Sequence, residues 1–179
     1  MAAVDLFLEI DGIAGESTDK AHAGAIDALA FSWAEHVQVS SGGGGSGAGK
    51  ASIGDLQVVM RTSIASPLLF LSCASSKHHV TAKLSARRRG KRAGKDFLVI
   101  TLHDVLVTSY RVGANESGED DTPTDQVSLG FRRVEFEVSA ESPQGGAGKV
   151  VKTGWDVAAN KPLTPTAPAA TGRKRKAAG

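Results

Sequence analysis

The longest stretch that indicates β-structure is FLVITLHDVLVTSY, residues 97–110. Its first half carries apolar side chains at successive positions, and its second half alternates apolar and polar ones. The first pattern is typical of a strand covered on both faces, and the second of a strand covered on one face. We therefore predict one long strand that is covered on both sides over part of its length.

Shorter stretches around it repeat apolar residues with period two, the spacing of a strand. They predict strands over residues 4–10, 28–39, 55–61, 80–87, 127–138 and 149–155. Within the second, the apolar face with Leu29, Phe31 and Trp33 is expected inside. The fifth changes phase after Phe131, and a bulge near Arg132-Arg133 would explain that change.

One helix is predicted to begin at Ser66-Pro67 and to end near Ser76. A serine can accept from a free backbone N–H, and a proline in the first turn lacks the donor that would go unpaired. Residues 12–25 show no clear period and are predicted to form a long, ordered loop. Many short strands with one helix predict a mainly β fold, namely a β-barrel-like domain of two packed antiparallel sheets with one flanking α-helix.

Length and composition favour one domain that needs no covalent or metal support. A chain of 179 residues can bury a core of its own. Its one cysteine, Cys73, cannot form an internal bridge, so the fold suits a reducing cytosol. We place the domain at residues 1–161 and predict a disordered Pro/Ala-rich basic tail at 162–179. No apolar run approaches the ~20 residues of a membrane span, and no secretory leader is evident, so we expect no membrane insertion.

Charge is unevenly distributed along the chain. The pI near 8.8 is basic, but five basic residues and no acidic ones fall in residues 160–179. The rest of the chain has 16 basic and 19 acidic residues. A uniformly basic nucleic-acid-binding face is therefore not supported.

A glycine loop resembles a phosphate-binding motif. Residues 44–50, GGSGAGK, fit GxxxxGK, in which backbone donors cradle phosphates. However, Ala51 supplies no hydroxyl for magnesium, and the following residues alternate like a strand where a helix is needed. The favoured interpretation is a flexible loop between strands, long enough to touch a neighbour. A nucleotide- or nucleic-acid-binding β-domain that uses this loop and the basic segments stays open as the alternative.

The remaining candidates for chemistry are isolated. His103 and Asp104 are adjacent on a strand and point to opposite faces, so they cannot form a dyad. His78-His79 has no carboxylate or thiolate at metal-ligand spacing, and Cys73 is expected as a buried thiol. We predict no catalytic residue, no metal site and no cofactor. The basic run Arg87–Lys95 contains no aromatic residue for base stacking and is interpreted as a solvated hairpin tip, or as a contact for an acidic partner such as residues 116–121 of another copy.

Several local motifs, in order, resemble the Hcp (haemolysin-coregulated protein) family of bacterial type VI secretion. The opening block AVDLFLEIDGIAGESTDKAHAGAIDALAFSW, the loop ending GAGK at Lys50, the strand FLVITLHDVLVTS and the closing Gly154-Trp155-Asp156 carry the resemblance. Its markers in the opening block are Asp5, Gly12, Gly15, Glu16, Ser17, Asp19, His22, Ile26, Asp27, Ser32 and Trp33. The resemblance covers about residues 2–161.

The resemblance implies a structural subunit and no enzyme. Family members form homohexameric rings that stack into a tube, which a contractile sheath drives out of the cell. Expected partners are further copies of the chain, the sheath, baseplate and spike proteins, and small effectors in the lumen, with no nucleic acid. The protein would be cytoplasmic before firing and then secreted through the type VI apparatus without a signal peptide.

The resemblance also implies positions for the functional surfaces. The lumen-facing and effector-facing residues are predicted to be Ala28, Ala30, Ser32 and Ala34, on the less apolar face of their strand. Inter-subunit or inter-ring contacts are predicted for two long polar loops. Their residues are Gly42, Gly43, Gly44, Gly45, Ser46, Gly47 and Lys50 in the first loop, and Glu119 and Asp120 in the second.

Overall fold

The computed structural model describes residues 4–37, 51–89, 95–113, 123–141 and 147–163. These residues contain one helix, α1 (Ser66–Ala74), and ten strands. The strands are β1 (Val4–Ile10), β2 (Ile26–Ser32), β3 (Glu35–Val37), β4 (Ala51–Ile53), β5 (Leu56–Arg61), β6 (His78–Arg88), β7 (Asp96–Gly113), β8 (Thr124–Glu141), β9 (Ala147–Asp156) and β10 (Lys161–Pro162). The predicted mainly β class with one helix is confirmed.

Eight of the strands form one antiparallel sheet that closes on itself. Its order is β10-β9-β8-β5-β2-β1-β6-β7, and β7 pairs again with β8. The closed part is therefore a six-stranded barrel, in which β8 pairs with β5 over its first half and with β9 over its second. The predicted two sheets are thus continuous with each other, and only the hairpin β3–β4 forms a separate sheet among the described residues.

The predicted long strand is confirmed as β7, which is paired along its length with β8 and over its first half with β6. Ile100, Leu102, Val105 and Val107 are buried in the core. Val99 and Thr101, which alternate with them, are half-buried, so the first half of β7 is partly covered on its outer face as well.

Three strands change phase together at one level of the barrel. Asp104 has a left-handed backbone, with φ of 54°, and lies between the pairs His103↔Arg133 and Val105↔Phe131. The pairing register is the same on both sides of this point, so the bulge predicted near Arg132-Arg133 is wrong: the phase changes without a slip of the register. On the neighbouring strand β6, Val80 lies opposite Asp104 and is 72% exposed. The alternation of apolar residues in β6 had predicted that Val80 is buried.

A bulge in β2 decides which of its residues face the core. The register with β5 shifts between Ala28 and Ala30, so Ala28 pairs with buried Met60 while Phe31 pairs with buried Val58. Leu29 is left 46% exposed. The prediction that Ala28 faces away from the core and Leu29 faces it is therefore wrong, because a bulge adds one residue to the alternation.

Helix α1 closes one end of the barrel. Leu69 is fully buried in the core cluster, and Pro67 lies in the first turn as predicted. The N-cap is Ala65, which makes no side-chain cap, so the predicted serine cap is wrong. The Ser66 hydroxyl instead accepts from the Ser63 N–H and donates to the buried carboxylate of Asp125. A buried hydrogen bond therefore links the start of α1 to β8.

The loop over residues 11–25 is ordered, as predicted. Gly15 and Ser17 donate backbone hydrogen bonds to the carbonyls of Gly24 and Ala25. A Cβ on Gly15 would lie 2.3 Å from the Ala25 carbonyl oxygen, so only glycine allows this close approach. The loop covers Phe7 on the outside of β1 and gives that strand apolar burial on both faces.

Candidate functional site: a polar face across four strands

The outside of β2, β5, β8 and β7 carries mostly polar side chains in two adjacent rows. One row runs across the four strands through Ser32, Gln57, Ser128 and Ser109, which are successive cross-strand partners. The next row follows the same order through Ala30, Val59, Gln126 and Arg111. We call these eight residues the polar face.

The polar face exists because each of these strands buries its alternate residues. Phe31, Val58 and Val127 point into the core cluster from the same segments. A side-chain period of two then places their neighbours on the outside, where polar residues are stable in water. Phe31 and Trp33, which we predicted inside, do pack against this core.

A shallow depression of about 250 Å³ lies on the polar face. Its lining offers hydroxyl and amide groups from residues such as Ser32, Gln57 and Gln126, together with one charged side chain, Arg111. None of the described residues that line it is a histidine, cysteine, aspartate or glutamate. The arrangement can form hydrogen bonds to another molecule's surface, but it holds no pair of groups for acid–base or nucleophilic catalysis.

Three of the four predicted lumen residues are exposed. Ala30 and Ser32 belong to the polar face, and Ala34 is exposed just after β2. Ala28 does not join them, because it packs against the core. The polar residues that β5, β7 and β8 contribute were missed. Each is visible in the sequence as the polar member of an alternating pair, but only the strand order places it beside Ser32.

The predicted contact loops lie outside the described residues. This applies to Gly42–Gly47 with Lys50 and to Glu119 with Asp120. The segment after Lys50 is described, and it forms the predicted strand as β5, preceded by the short strand β4, which was not predicted separately. A phosphate-binding loop of the GxxxxGK type leads into a helix, so this local structure disfavours the nucleotide interpretation.

A buried ion-pair network lies on the opposite side of the barrel. His22 is buried, stacks on Phe7 with ring centroids 4.3 Å apart, and places its Nδ1 and Nε2 2.8 and 3.1 Å from carboxylate oxygens of Glu9 and Asp96. The Arg87 guanidinium pairs with both Asp96 and Asp19 at 3.0 Å. Backbone donation from Ala21, together with Arg87, lowers the pKa of Asp19.

This network corrects the interpretation of one basic residue. Arg87 was assigned to a solvated hairpin tip, but its side chain is only 12% exposed and holds β6 to the loop over residues 11–25. Arg89 pairs with Asp5, and the guanidinium of Arg88 lies 4.9 Å from the centre of the Phe97 ring. These three arginines of the basic run therefore make contacts within the subunit.

The other groups that we considered for chemistry also have local partners. His79 is buried between the Asp11 carbonyl and the Ser72 hydroxyl, and His78 pairs with Asp104 on the surface. Cys73 is half-buried beside the core. Within the described ranges, no three histidine, cysteine, aspartate or glutamate side chains form a group that could hold a metal ion. No helix of this part of the chain combines the length and apolarity needed to cross a membrane.

Comparisons with known proteins converge on one family. The model of the family described as "Type VI secretion system effector, Hcp" matches residues 7–138. The chain is 39% identical over 160 residues to Protein hcp1 of Pseudomonas aeruginosa, covering 88% of this chain and 98% of that protein. The crystal structure of Hcp1 from Salmonella typhimurium is 35% identical with a TM-score of 0.74, over 91% of this chain and all of that one.

A second solved structure, described as a type six secretion system protein, superposes with a TM-score of 0.82 at 26% identity, over 90% of this chain and all of that one. The expected fold, the resemblance to Hcp proteins and the role in type VI secretion are confirmed by these matches, and none of them supports the nucleic-acid-binding alternative. The chain belongs to the Hcp family of type VI secretion proteins.

Proposed function

We propose that this chain is a structural subunit of a type VI secretion tube, built from stacked homohexameric rings, and that it performs no catalysis. The observation that carries the proposal is the polar face on a barrel of the Hcp family. A polar sheet surface without reactive groups suits the wall of a channel. In a cyclic ring, each subunit presents the same surface inward.

The test of assembly is the mass in solution. The chain has a mass of 18.5 kDa, and multi-angle light scattering at micromolar concentration should give about six times that value. A stable monomer under these conditions would overturn the ring.

The polar face is the proposed lumen wall, and its hydroxyl and amide groups would hold small effector proteins by hydrogen bonds. Ser32 lies at the β2 edge of this face, paired with Gln57. Ser32→Gln should therefore change the amount of effector that co-purifies with the ring while leaving the ring mass unchanged. Thr153→Gln, an exposed position on β9 away from this face, serves as the matched control. If Ser32→Gln prevented assembly while the subunit stayed folded, this face would lie between subunits.

Sheath, baseplate and spike proteins are the further proposed partners, and the chain is proposed to be cytoplasmic until the sheath contracts. If the sheath drives the tube out of the cell, secretion depends on the contractile machinery. An immunoblot of culture supernatant should detect the protein in a strain with an intact sheath and lose it when the sheath gene is deleted. Equal amounts in both supernatants would contradict this route.

We propose that the glycine loop Gly42–Lys50 and the acidic loop carry inter-subunit or inter-ring contacts. The acidic loop was predicted over Ala114–Asp125, but Thr124 and the buried Asp125 belong to β8, so only the residues before them, with Glu119 and Asp120, are proposed for contacts. Glycines allow a close backbone approach and positive φ, so such a loop can adapt when rings stack. Ordering it has an entropic cost, which should make stacking weak. Shortening Gly42–Gly47 should preserve rings while reducing tube formation and secretion. Unchanged stacking and export would make the loop a passive connector.

A further inference from the structure

Arg111 gives the polar face a positive charge. It lines the depression on this face together with hydroxyl, amide and aliphatic side chains, and none of the described residues in that lining is acidic. The side chain of Arg111 is exposed. The face is therefore polar and also cationic at the β7 edge, where Arg111 lies.

The residues around Arg111 do not neutralise its charge. Gln126 lies directly opposite on β8, and Ser109 and Gly113 lie two positions before and after it on the same face of β7. Within the described part of the chain, no carboxylate forms an ion pair with Arg111. By contrast, Arg87 and Arg89 both pair with carboxylates of the same subunit. The Arg111 guanidinium is thus available to a group from another molecule.

The carboxylate that borders the polar face is already engaged elsewhere. Asp55 accepts a hydrogen bond from the Thr108 hydroxyl. The two side chains meet over Gly130, where a Cβ would lie only 2.8 Å from the Thr108 methyl carbon. Asp55 comes four residues before Val59, which is in the row of Arg111, so the two levels are about 13 Å apart along the strand. Asp55 is therefore too far away to form an ion pair with Arg111.

We propose that Arg111 makes the polar face selective for acidic surfaces of small effector proteins. This inference rests on the proposed function and names the class of cargo. A homohexameric ring repeats Arg111 at one level around the channel, and a narrow channel lined by one sign of charge concentrates the opposite charge. A guanidinium binds a carboxylate through two parallel hydrogen bonds, and the neighbouring Ser109 and Gln126 can donate further ones.

The test measures binding at the polar face itself, because the chain has other basic segments that attract acidic peptides. In a full-length Cys73→Ser background, Gln57→Cys labelled with an environment-sensitive dye reports occupancy beside the depression. Decaglutamate should change the dye signal, whereas decalysine should not. Arg111→Gln should weaken binding of decaglutamate about tenfold, because it removes a charge-assisted pair of hydrogen bonds. Arg111→Glu should reverse the preference between the two peptides.

Arg133→Gln is the matched control for the loss of one positive charge. Arg133 is exposed on β8 but lies opposite His103 and Asp156, beyond the polar face, so this variant should bind decaglutamate like the parent. Light scattering and circular dichroism should show the same ring mass and fold for all labelled variants.

Three other outcomes would overturn a proposal, and they separate the two. Equal binding of decaglutamate by intact rings of the parent and Arg111→Gln would refute selection by Arg111 and leave the ring established. A folded Arg111→Gln chain that no longer assembles would place Arg111 between subunits and would also refute the inference. A labelled parent and an unlabelled parent that are both monomeric would instead refute the proposed function.

Discussion

The buried carboxylate of Asp125 should be a principal stabiliser of the end of the barrel that α1 closes. Asp125 is fully buried and accepts hydrogen bonds from three hydroxyl groups, those of Thr62, Ser66 and Tyr110. These donors come from the end of β5, the start of α1 and the last part of β7. Removing the carboxylate by Asp125→Ala therefore disconnects three elements at once.

The size of the effect follows from what happens to each hydroxyl. Thr62 is exposed, so its hydroxyl can form a hydrogen bond with water instead. Ser66 is buried and Tyr110 is partly buried. A buried group left without its partner costs about 1–3 kcal/mol. Part of this is offset because the variant no longer removes a carboxylate from water. We expect Asp125→Ala to lower the free energy of unfolding by about 2–4 kcal/mol, and Asp125→Asn, which keeps one acceptor oxygen, by about half as much.

Urea unfolding followed by tryptophan fluorescence would measure these differences at one protein concentration, because assembly contributes to apparent stability. Tyr110→Phe completes a double-mutant cycle with Asp125→Ala, and we expect a coupling of about 1 kcal/mol. If Asp125→Ala cost less than about 1 kcal/mol, the hydroxyls would have found other partners and the reasoning would be refuted.

Burial and the Asp125 carboxylate also raise the pKa of Tyr110 above 10.0. The fold therefore favours the neutral phenol, and this contribution is present at neutral pH. It is lost as the pH rises past 10 and the unfolded chain ionises first. Above that pH the parent should lose stability faster than Tyr110→Phe, and parallel alkaline profiles for the two proteins would contradict the assignment.

Three further predictions concern single positions. Gly15→Ala should lower the free energy of unfolding by about 2 kcal/mol or more, because its Cβ would overlap backbone at 2.3 Å, whereas Gly113→Ala, with nothing within 4 Å, should be nearly neutral in the same urea titration. Ser85→Ala should be neutral or stabilising by up to about 1 kcal/mol, because the Ser85 hydroxyl is buried and, among the described residues, has no hydrogen-bond partner. A clearly lower melting temperature of this variant would contradict the prediction, since it would mean that the hydroxyl does have a partner. Lys152→Met should cost less than about 1 kcal/mol because the pair is half-exposed. A hydrogen bond from Lys152 lowers the pKa of Glu135, so this pair stabilises the fold fully above the usual glutamate range. The difference between Lys152→Met and the parent should shrink as the pH falls below that range and vanish once the pH has passed the lowered pKa of Glu135.

The sequence predicted most of the elements, because each depends on local spacing. Period-two alternation located the strands, including the long β7, and Ser66-Pro67 located α1. Errors arose where a few residues depart from regular geometry. The β2 bulge reversed the facing of Ala28 and Leu29, and the kink at Asp104 exposed Val80. A bulge or a left-handed residue changes the phase without a distinctive local composition, so periodicity alone could not show it.

What the sequence determined by itself is therefore the mainly β class, the position of the helix and the family, since these follow from short-range patterns and from motifs in a set order. The polar face and the His22 network were decided only by the tertiary structure. Ser32, Gln57, Ser109 and Ser128 are separated by up to 96 positions along the chain. They become neighbours because β5 pairs with both β2 and β8, and because β7 closes the sheet on β8. Which strands pair across such distances depends on the packing of the whole core, and no local pattern in the sequence contains that information.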